Sequence, residues 1–349
     1  MFKKALCFDD VLLVPKYSNI SSRKDIDISC DLGFKKLELP IISSPMDTVT
    51  ESHMAAALKE QGGLGIIHRY NSIEEQVKLV QQANLLDPNF SQNKKISRAG
   101  VGAAIGVTGD YLDRAIALSE IGVRMVCIDI AHGHHRLMRE AISKIKNSIP
   151  HLHIMAGNVA TLDGFNFLAD AGADSIKIGI GGGSICSTRI ETGHGMPTLQ
   201  SVLECSNTDR EALLIADGGI KNSGDIVKAL AAGADAVILG SLLSGTKETP
   251  GSVKTSPTGT RYKSYRGMAS KAAQVAWKGS YSSNEGVSRS VPYRGSVVDI
   301  INDLERGIRS GFSYSGCKNL CELHSKAKFI IQSTSGFGES KTHIDNKTI

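Results

Sequence analysis

The sequence predicts an α/β fold, a TIM-type (β/α)8 barrel with an active-site flap after its eighth strand, and three observations carry that prediction. Eight short apolar runs recur between residues 37 and 241, each followed by a helix-like segment. Their hydrophobicity is near-continuous, as in parallel strands buried on both faces. The phrase AGAD occurs twice, at 171–174 and 232–235, each time just ahead of a run, as a repeated helix-to-strand turn would. No GxGxxG fingerprint follows an early run, which argues against an open doubly wound sheet.

In order, the runs are LELPIISS (37–44), GLGIIHR (63–69), VGAAIGV (101–107), RMVCIDIA (124–131), LHIMAGN (152–158), SIKIGI (175–180), ALLIADGG (212–219) and AVILGS (236–241). Helical patterns such as DYLDRAIALSEIG and LDGFNFLADAGAD lie between them and close on glycine, as helix C-termini do. From about 246 to 295 the chain turns polar and rich in Gly and Ser, which predicts a mobile flap near the barrel mouth, centred on about 268–295. Residues 1–332 are predicted to form one domain, and the aperiodic 333–349 a disordered C-terminal tail.

The 349 residues are 41% hydrophobic and only 5% aromatic, with 36 glycines, a balance suited to a barrel of Val, Ile, Ala and Leu. A net charge of +5 without a basic arm predicts an ordinary solvated surface, not a nucleic-acid face, and suits an anionic substrate. Seven cysteines without a CxxC pair point to free thiols in a reducing compartment. Asp9 and Asp10 interrupt any signal-like start, and no apolar run approaches the roughly 20 residues of a membrane span. The expectation is a cytoplasmic protein with no membrane partner.

Barrel enzymes work at the carboxyl ends of their strands, so the residues after each run hold the chemistry. After the sixth run stands KIGIGGGSICSTR, where glycines 179, 181, 182 and 183 let the backbone approach a ligand closely. Cys186 follows. A helix starting there would lower its thiol pKa, and Ser187, Thr188 and Arg189 place hydroxyls and a cation beside it. Asp217, Gly218 and Gly219 follow the seventh run, and Gly240 and Ser241 the eighth, the two loops that commonly cradle phosphate in barrels. The fourth run ends at Asp129 and the fifth at Asn158. His132, His134 and His135 lack a metal-ligand spacing and read as a solvated loop.

With those residues in place, the chain resembles the IMP dehydrogenase and GMP reductase family to about residue 330. FDDVLLVP (8–15), SPMDTVTE (44–51), GNVAT (157–161), GIGGGSICSTR (179–189), ADGGI and YRGM (265–268) are similar to its motifs, in its order. The resemblance implies that Cys186 attacks C2 of a purine nucleotide, with Thr188 moving the proton and Asp129 and Glu285 completing the catalytic set. It also implies phosphate contacts near Ser184, Gly218, Gly219, Gly240, Ser241 and Tyr265, ribose on Asp217, and purine near Gly267, Met268, Ala269, Glu285 and Gly286. A nicotinamide cofactor, NADPH or NADH, would lie near Arg69, Asp129, Ile130 and Ala131, with Ser22 and Arg23 reaching it from a neighbouring subunit. Potassium would sit on the carbonyls of Gly181, Gly183 and Cys186, and the family's homotetramers, some paired as octamers, are the expected assembly.

Two directions remain open on the residues: reduction of GMP to IMP, or oxidation of IMP to XMP. Dehydrogenases usually insert two regulatory modules after the second βα unit, and here EEQVKLVQQANLLDPNFSQNKKIS spans that place. They also carry an Arg-Tyr pair in the flap to activate water, and no such dipeptide lies between Met268 and Val291. That favours the GMP reductase direction. The N-terminal half looks more like dehydrogenases, Arg69 replaces the reductases' lysine, and the flap is shorter, reading SYS in place of EYR. Gly182 stands where the family's loop has proline, which predicts a looser loop. A nucleotide-binding barrel without catalysis and a phosphosugar isomerase are the readings from other classes.

Overall fold

The computed structural model of the protein describes residues 3–86 and 100–340. Eight parallel strands close into a barrel: Ile41–Ser43, Leu64–Ile67, Val101–Ile105, Met125–Asp129, His153–Val159, Ser175–Ile178, Leu213–Asp217 and Ala236–Leu239. The strands fall on the eight apolar runs in order, seven within their runs and the fifth reaching one residue past its run, to Val159. The last strand returns to the first through Val237 opposite Ile41 and Leu239 opposite Ser43.

The unbroken hydrophobicity of the runs has a direct cause, since both faces of every strand are dry. One set of side chains, including Ile42, Ile66, Cys127, Met155 and Ile238, fills the barrel interior. The alternate set, including Ile41, Ile67, Ile128, Ile154 and Val237, packs under the helices. Burying each such side chain fully stabilises the fold by roughly 1.5–3 kcal/mol. A hairpin of Cys30–Asp31 with Lys36–Leu37 plugs the amino end, with Leu32 and Leu37 in the inner cluster and Phe34 beside the His153 ring at 4.7 Å. The carboxyl end is left open.

The two AGAD phrases do the same job. In each, the glycine takes a positive φ just past a helix, at Gly172 after Leu162–Asp170 and at Gly233 after Ser223–Ala231. The aspartate then accepts the amide of the second residue of the preceding barrel strand, Ile154 N to Asp174 at 2.6 Å and Leu214 N to Asp235 at 2.8 Å. The repeat therefore ties each strand to its neighbour at the amino end.

The polar passage after the eighth strand is more ordered than its composition predicts. Lys254–Thr255, Arg261–Arg266 and Ser288–Pro292 form a three-stranded antiparallel sheet, and Lys271–Lys278 is a helix. The clue is the alternation in RYKSYR, which buries Lys263 and Tyr265 on one face. In the segment read as a disordered tail, Thr334–Glu339 forms a short helix because the Ser333 hydroxyl caps the Gly336 amide. Residues 341–349 of that segment, and 87–97 of the bridge after the second βα unit, lie outside the described residues. Among the described residues no helix is long and apolar enough to cross a membrane.

Candidate active site

A cleft of about 540 Å³ opens at the carboxyl ends of the barrel strands. Its floor is polar. Lys177, on the sixth strand and 2% exposed, reaches between two strand-end carboxylates, bonding Asp129 and, at 3.3 Å, Asp217. Burial pushes its ammonium toward the neutral form, but the facing carboxylates outweigh that and hold its pKa above the ordinary lysine range. Asn158, at the end of the fifth strand, donates to Asp217 at 2.9 Å and to the Gly179 carbonyl at 2.8 Å.

The sixth loop rises from this floor. Gly179 has φ +147°, and a Cβ there would stand 2.0 Å from the Asp217 carbonyl oxygen, so no other residue fits. Further on, the Cys186 thiol donates to the Thr188 hydroxyl at 3.1 Å, and a helical turn, Thr188–Thr192, begins beside it. The cation expected beside the thiol is not there. Arg189 folds under Gly181 and Gly195 and donates to the Met196 carbonyl at 2.9 Å. Ser187 also turns away, its hydroxyl donating to Asn284 O at 2.9 Å.

Three residues of the flap hold the thiol loop by main-chain pairing. The Ser187 amide donates to Glu285 O at 3.1 Å and the Val287 amide to Ile185 O at 3.0 Å, so Cys186 and Gly286 face one another as a bridge. Glu285 lines the cleft. Gly286, expected against the purine, borders a second hollow lined by Ser270, Val275, Val287 and Ser288.

Gly218 and Gly219 take φ +94° and +79° after the seventh strand and line the cleft with Gly240 and Ser241 of the eighth. Tyr265 enters beside them, 4% exposed, its hydroxyl directed toward the Ser184 side chain. Burial pushes that phenol up to about 12, which keeps it a protonated donor. Gly267, Met268 and Ala269 complete this wall. Two sequence motifs meet behind it, since Arg266 of YRGM donates to the Asp47 carboxylate of SPMD at 2.9 Å and its amide to the Thr48 hydroxyl at 3.1 Å.

Opposite the thiol loop, Arg69, Asp129, Ile130 and Ala131 form the side reserved by sequence for a nicotinamide. Tyr70 donates to the Met268 carbonyl at 2.8 Å and stacks on Trp277 of the flap helix, centroids 4.3 Å apart and planes 11° from parallel. Ser22 and Arg23 lie elsewhere, in a turn where the Ser22 hydroxyl caps Lys24, and line no part of the cleft of this chain. Among the described residues no group of three or more acidic, His or Cys side chains is placed to hold a metal; His132 and His134 sit edge to face on an exposed loop.

Gly182, predicted to loosen the sixth loop, is tightly packed, because a Cβ there would lie 2.4 Å from the Thr198 hydroxyl. Lys177, Tyr70 and Trp277 were not assigned by sequence reasoning. A lysine inside the apolar run SIKI was the available signal, since nothing but a facing carboxylate would hold it there. The Tyr70–Trp277 pair has no local signature, because the two residues are 207 positions apart in sequence numbering.

A closed (β/α)8 barrel with a thiol, a hydroxyl and paired carboxylates at its carboxyl-end mouth belongs to the barrel enzymes that act on a ligand held by their strand-end loops. Within that class, residues 5–343 match the IMP dehydrogenase / GMP reductase domain, and the chain belongs to this oxidoreductase family, whose members use NAD(P)(H) for hydride transfer. Relatives include the inosine-5'-monophosphate dehydrogenases of Nitrosopumilus maritimus, 35% identical with 98% of each chain covered, and of Borreliella burgdorferi, 36% identical with 98% and 97% covered. The first match runs over 471 positions, more than the 349 residues here, so that relative holds internal sequence this chain lacks. Among solved structures, a GMP reductase variant from Trypanosoma brucei in complex with guanosine 5'-monophosphate superposes with a TM-score of 0.90 at 30% identity, covering 99% of this chain and 98% of that one.

Proposed function

We propose that the protein is a GMP reductase, converting GMP, NADPH and a proton to IMP, ammonia and NADP+. The carrying observation is the flap wall of the cleft: it is lined by Gln274, Trp277, Lys278, Ser282, Ser283 and Glu285, where a dehydrogenase would bring an arginine to activate water. A cleft equipped to make the covalent adduct but not to hydrolyse it favours resolution by hydride.

In this reading the Cys186 proton is relayed through the Thr188 hydroxyl, which gives up its own proton as it accepts the thiol's, to the exocyclic amine, while the sulfur bonds C2 of GMP and the C2–N bond breaks to release ammonia. Thr188 is already within hydrogen-bond reach of the sulfur. NADPH, when bound, supplies the hydride that replaces sulfur at C2, and the thiolate leaves with the pair of the C–S bond. Asp217 accepts from the ribose hydroxyls. Ser184, Tyr265 and the amides of Gly219 and Ser241 hold the phosphate, and Glu285 fixes the purine. The side formed by Arg69, Asp129 and Ile130 suits the cofactor, with Arg69 the cation for its anionic groups.

Backbone carbonyls of Gly181, Gly183 and Cys186 are neutral oxygen donors, the right chemistry for potassium; the Gly183 carbonyl also accepts the Cys186 amide at 3.1 Å. The dehydrogenase reading keeps one specific support, the names of the curated relatives. Purified protein given GMP and NADPH should oxidise the cofactor and release ammonia in equal amounts. XMP formed from IMP and NAD, with no reaction of GMP, would overturn the proposal.

A further inference from the structure

The floor of the cleft contains a buried cation that the reaction scheme does not use. Three strands supply it and its partners: Asp129 ends the fourth, Lys177 lies on the sixth, two places along the barrel, and Asp217 ends the seventh, beside it. The niche is built for this lysine, since a Cβ on its neighbour Gly157 would stand 2.5 Å from Lys177 Cβ. One ammonium serves two carboxylates, and Asn158 tethers the second to the Gly179 carbonyl at the root of the thiol loop. Asp129 uses one oxygen on the lysine, and its other has no side-chain or main-chain partner among the described residues.

We propose that Lys177 is a positioning residue that couples the two ligand sites of this cleft. Resting on the reading above, Asp217 belongs to the nucleotide's ribose and Asp129 to the cofactor. Both carboxylates are aimed by the same ammonium, so a ligand that orders one fixes the lysine, and through it the other. Filling either site then lowers the cost of filling its neighbour, as linkage requires of any shared ordering element. Without the ammonium, two carboxylates share a largely dry floor, and like charges there oppose both ligands.

The test uses calorimetric titration of the full chain carrying Cys186→Ala, which stops turnover. GMP should tighten NADPH binding at least about fivefold, and NADPH should tighten GMP by the same factor. Adding Lys177→Met should abolish that mutual effect and weaken GMP at least about thirtyfold. Lys177→Arg should keep most of both. Lys177→Met with Asp129→Asn, which removes the excess carboxylate, should restore GMP binding but not the coupling; a purely structural lysine would not be rescued by lost charge. This pair and Lys177→Arg also carry the test if Lys177→Met alone fails to fold. Unchanged coupling in either lysine-to-methionine protein that folds would overturn the proposal. Binding of neither GMP, IMP nor XMP to the Cys186→Ala protein would instead sink the functional reading.

Discussion

The floor of the cleft and its flap wall are held by different kinds of contact. The floor is charged and framed by barrel strands: Lys177 is 2% exposed and locked between carboxylates whose backbones belong to the closed hydrogen-bond ladder. The flap wall is mostly uncharged polar and aromatic, with Lys278 and Glu285 its charged groups, and it is attached from outside. Gln274 gathers it, its amide donating to Ala269 O at 3.0 Å and Ser283 O at 2.8 Å while accepting from the Ser282 amide at 3.0 Å, and Trp277 rests on Tyr70. The thiol loop stands between the two, rooted in the floor at Gly179 and paired to the flap at Gly286. Chemistry common to a whole family can be stored in the rigid half. The choice of what resolves the adduct, water or hydride, can then vary with a surface segment at little cost to the barrel.

The largest effect should come from the residue between the halves. Cys186→Ala should lower turnover at least about 10³-fold, because it removes the bond-forming atom and not a binding contact. GMP affinity should stay within about threefold, since the nucleotide is held by other groups. Steady-state kinetics beside a nucleotide titration separates the two, and substantial activity in this variant would end the covalent scheme.

A smaller effect should follow from tightening the root of the thiol loop. Thr198 is 4% exposed, its hydroxyl has no hydrogen-bond partner among the described residues, and it occupies the space beside Gly182. Gly182→Ala should therefore overpack this contact, at a cost of about 1–3 kcal/mol if the strain falls on the active loop geometry. That corresponds to turnover lowered about 5- to 150-fold. Thr198→Ala should be nearly silent, because no bond is lost. The double variant should regain most of the activity. If the double variant is no better than Gly182→Ala alone, Thr198 is not what confines the loop.

The barrel was legible because its signal is repeated eight times and each strand reports the same two-sided burial. The glycine-flanked Cys186 was legible because close backbone approach leaves a compositional mark, and Gly179 shows why that mark is obligatory. Arg189 was misjudged because sequence proximity to the thiol says nothing of direction on a short helical turn. The flap sheet was hidden by its Gly and Ser content, although RYKSYR alternates as a half-buried strand should. Lys177 was visible as a letter but not as a role, because its meaning depends on Asp129 and Asp217, 48 and 40 positions away.

The smallest effect should come from the flap's aromatic contact. Tyr70 is fixed by its bond to Met268 O, and burial holds its phenol above the usual range, so it offers Trp277 a set surface. A stacked pair of this kind is worth about 0.5–1.5 kcal/mol beyond the area it buries. Trp277→Ala should therefore cost about two- to tenfold, as a raised KM for NADPH more than a lowered kcat, with Trp277→Phe in between. GMP binding in the Cys186→Ala background should not change, because none of the groups assigned to the nucleotide is Trp277 or rests on it. Trp277 is the chain's single tryptophan, so its fluorescence reports this contact alone. Tyr70→Leu should shift that emission toward the wavelength of a solvated indole and raise its quenching by acrylamide. An unshifted spectrum, or a Trp277→Ala protein as inactive as Cys186→Ala, would mean that the flap is not a separable wall and that the contrast with the floor fails.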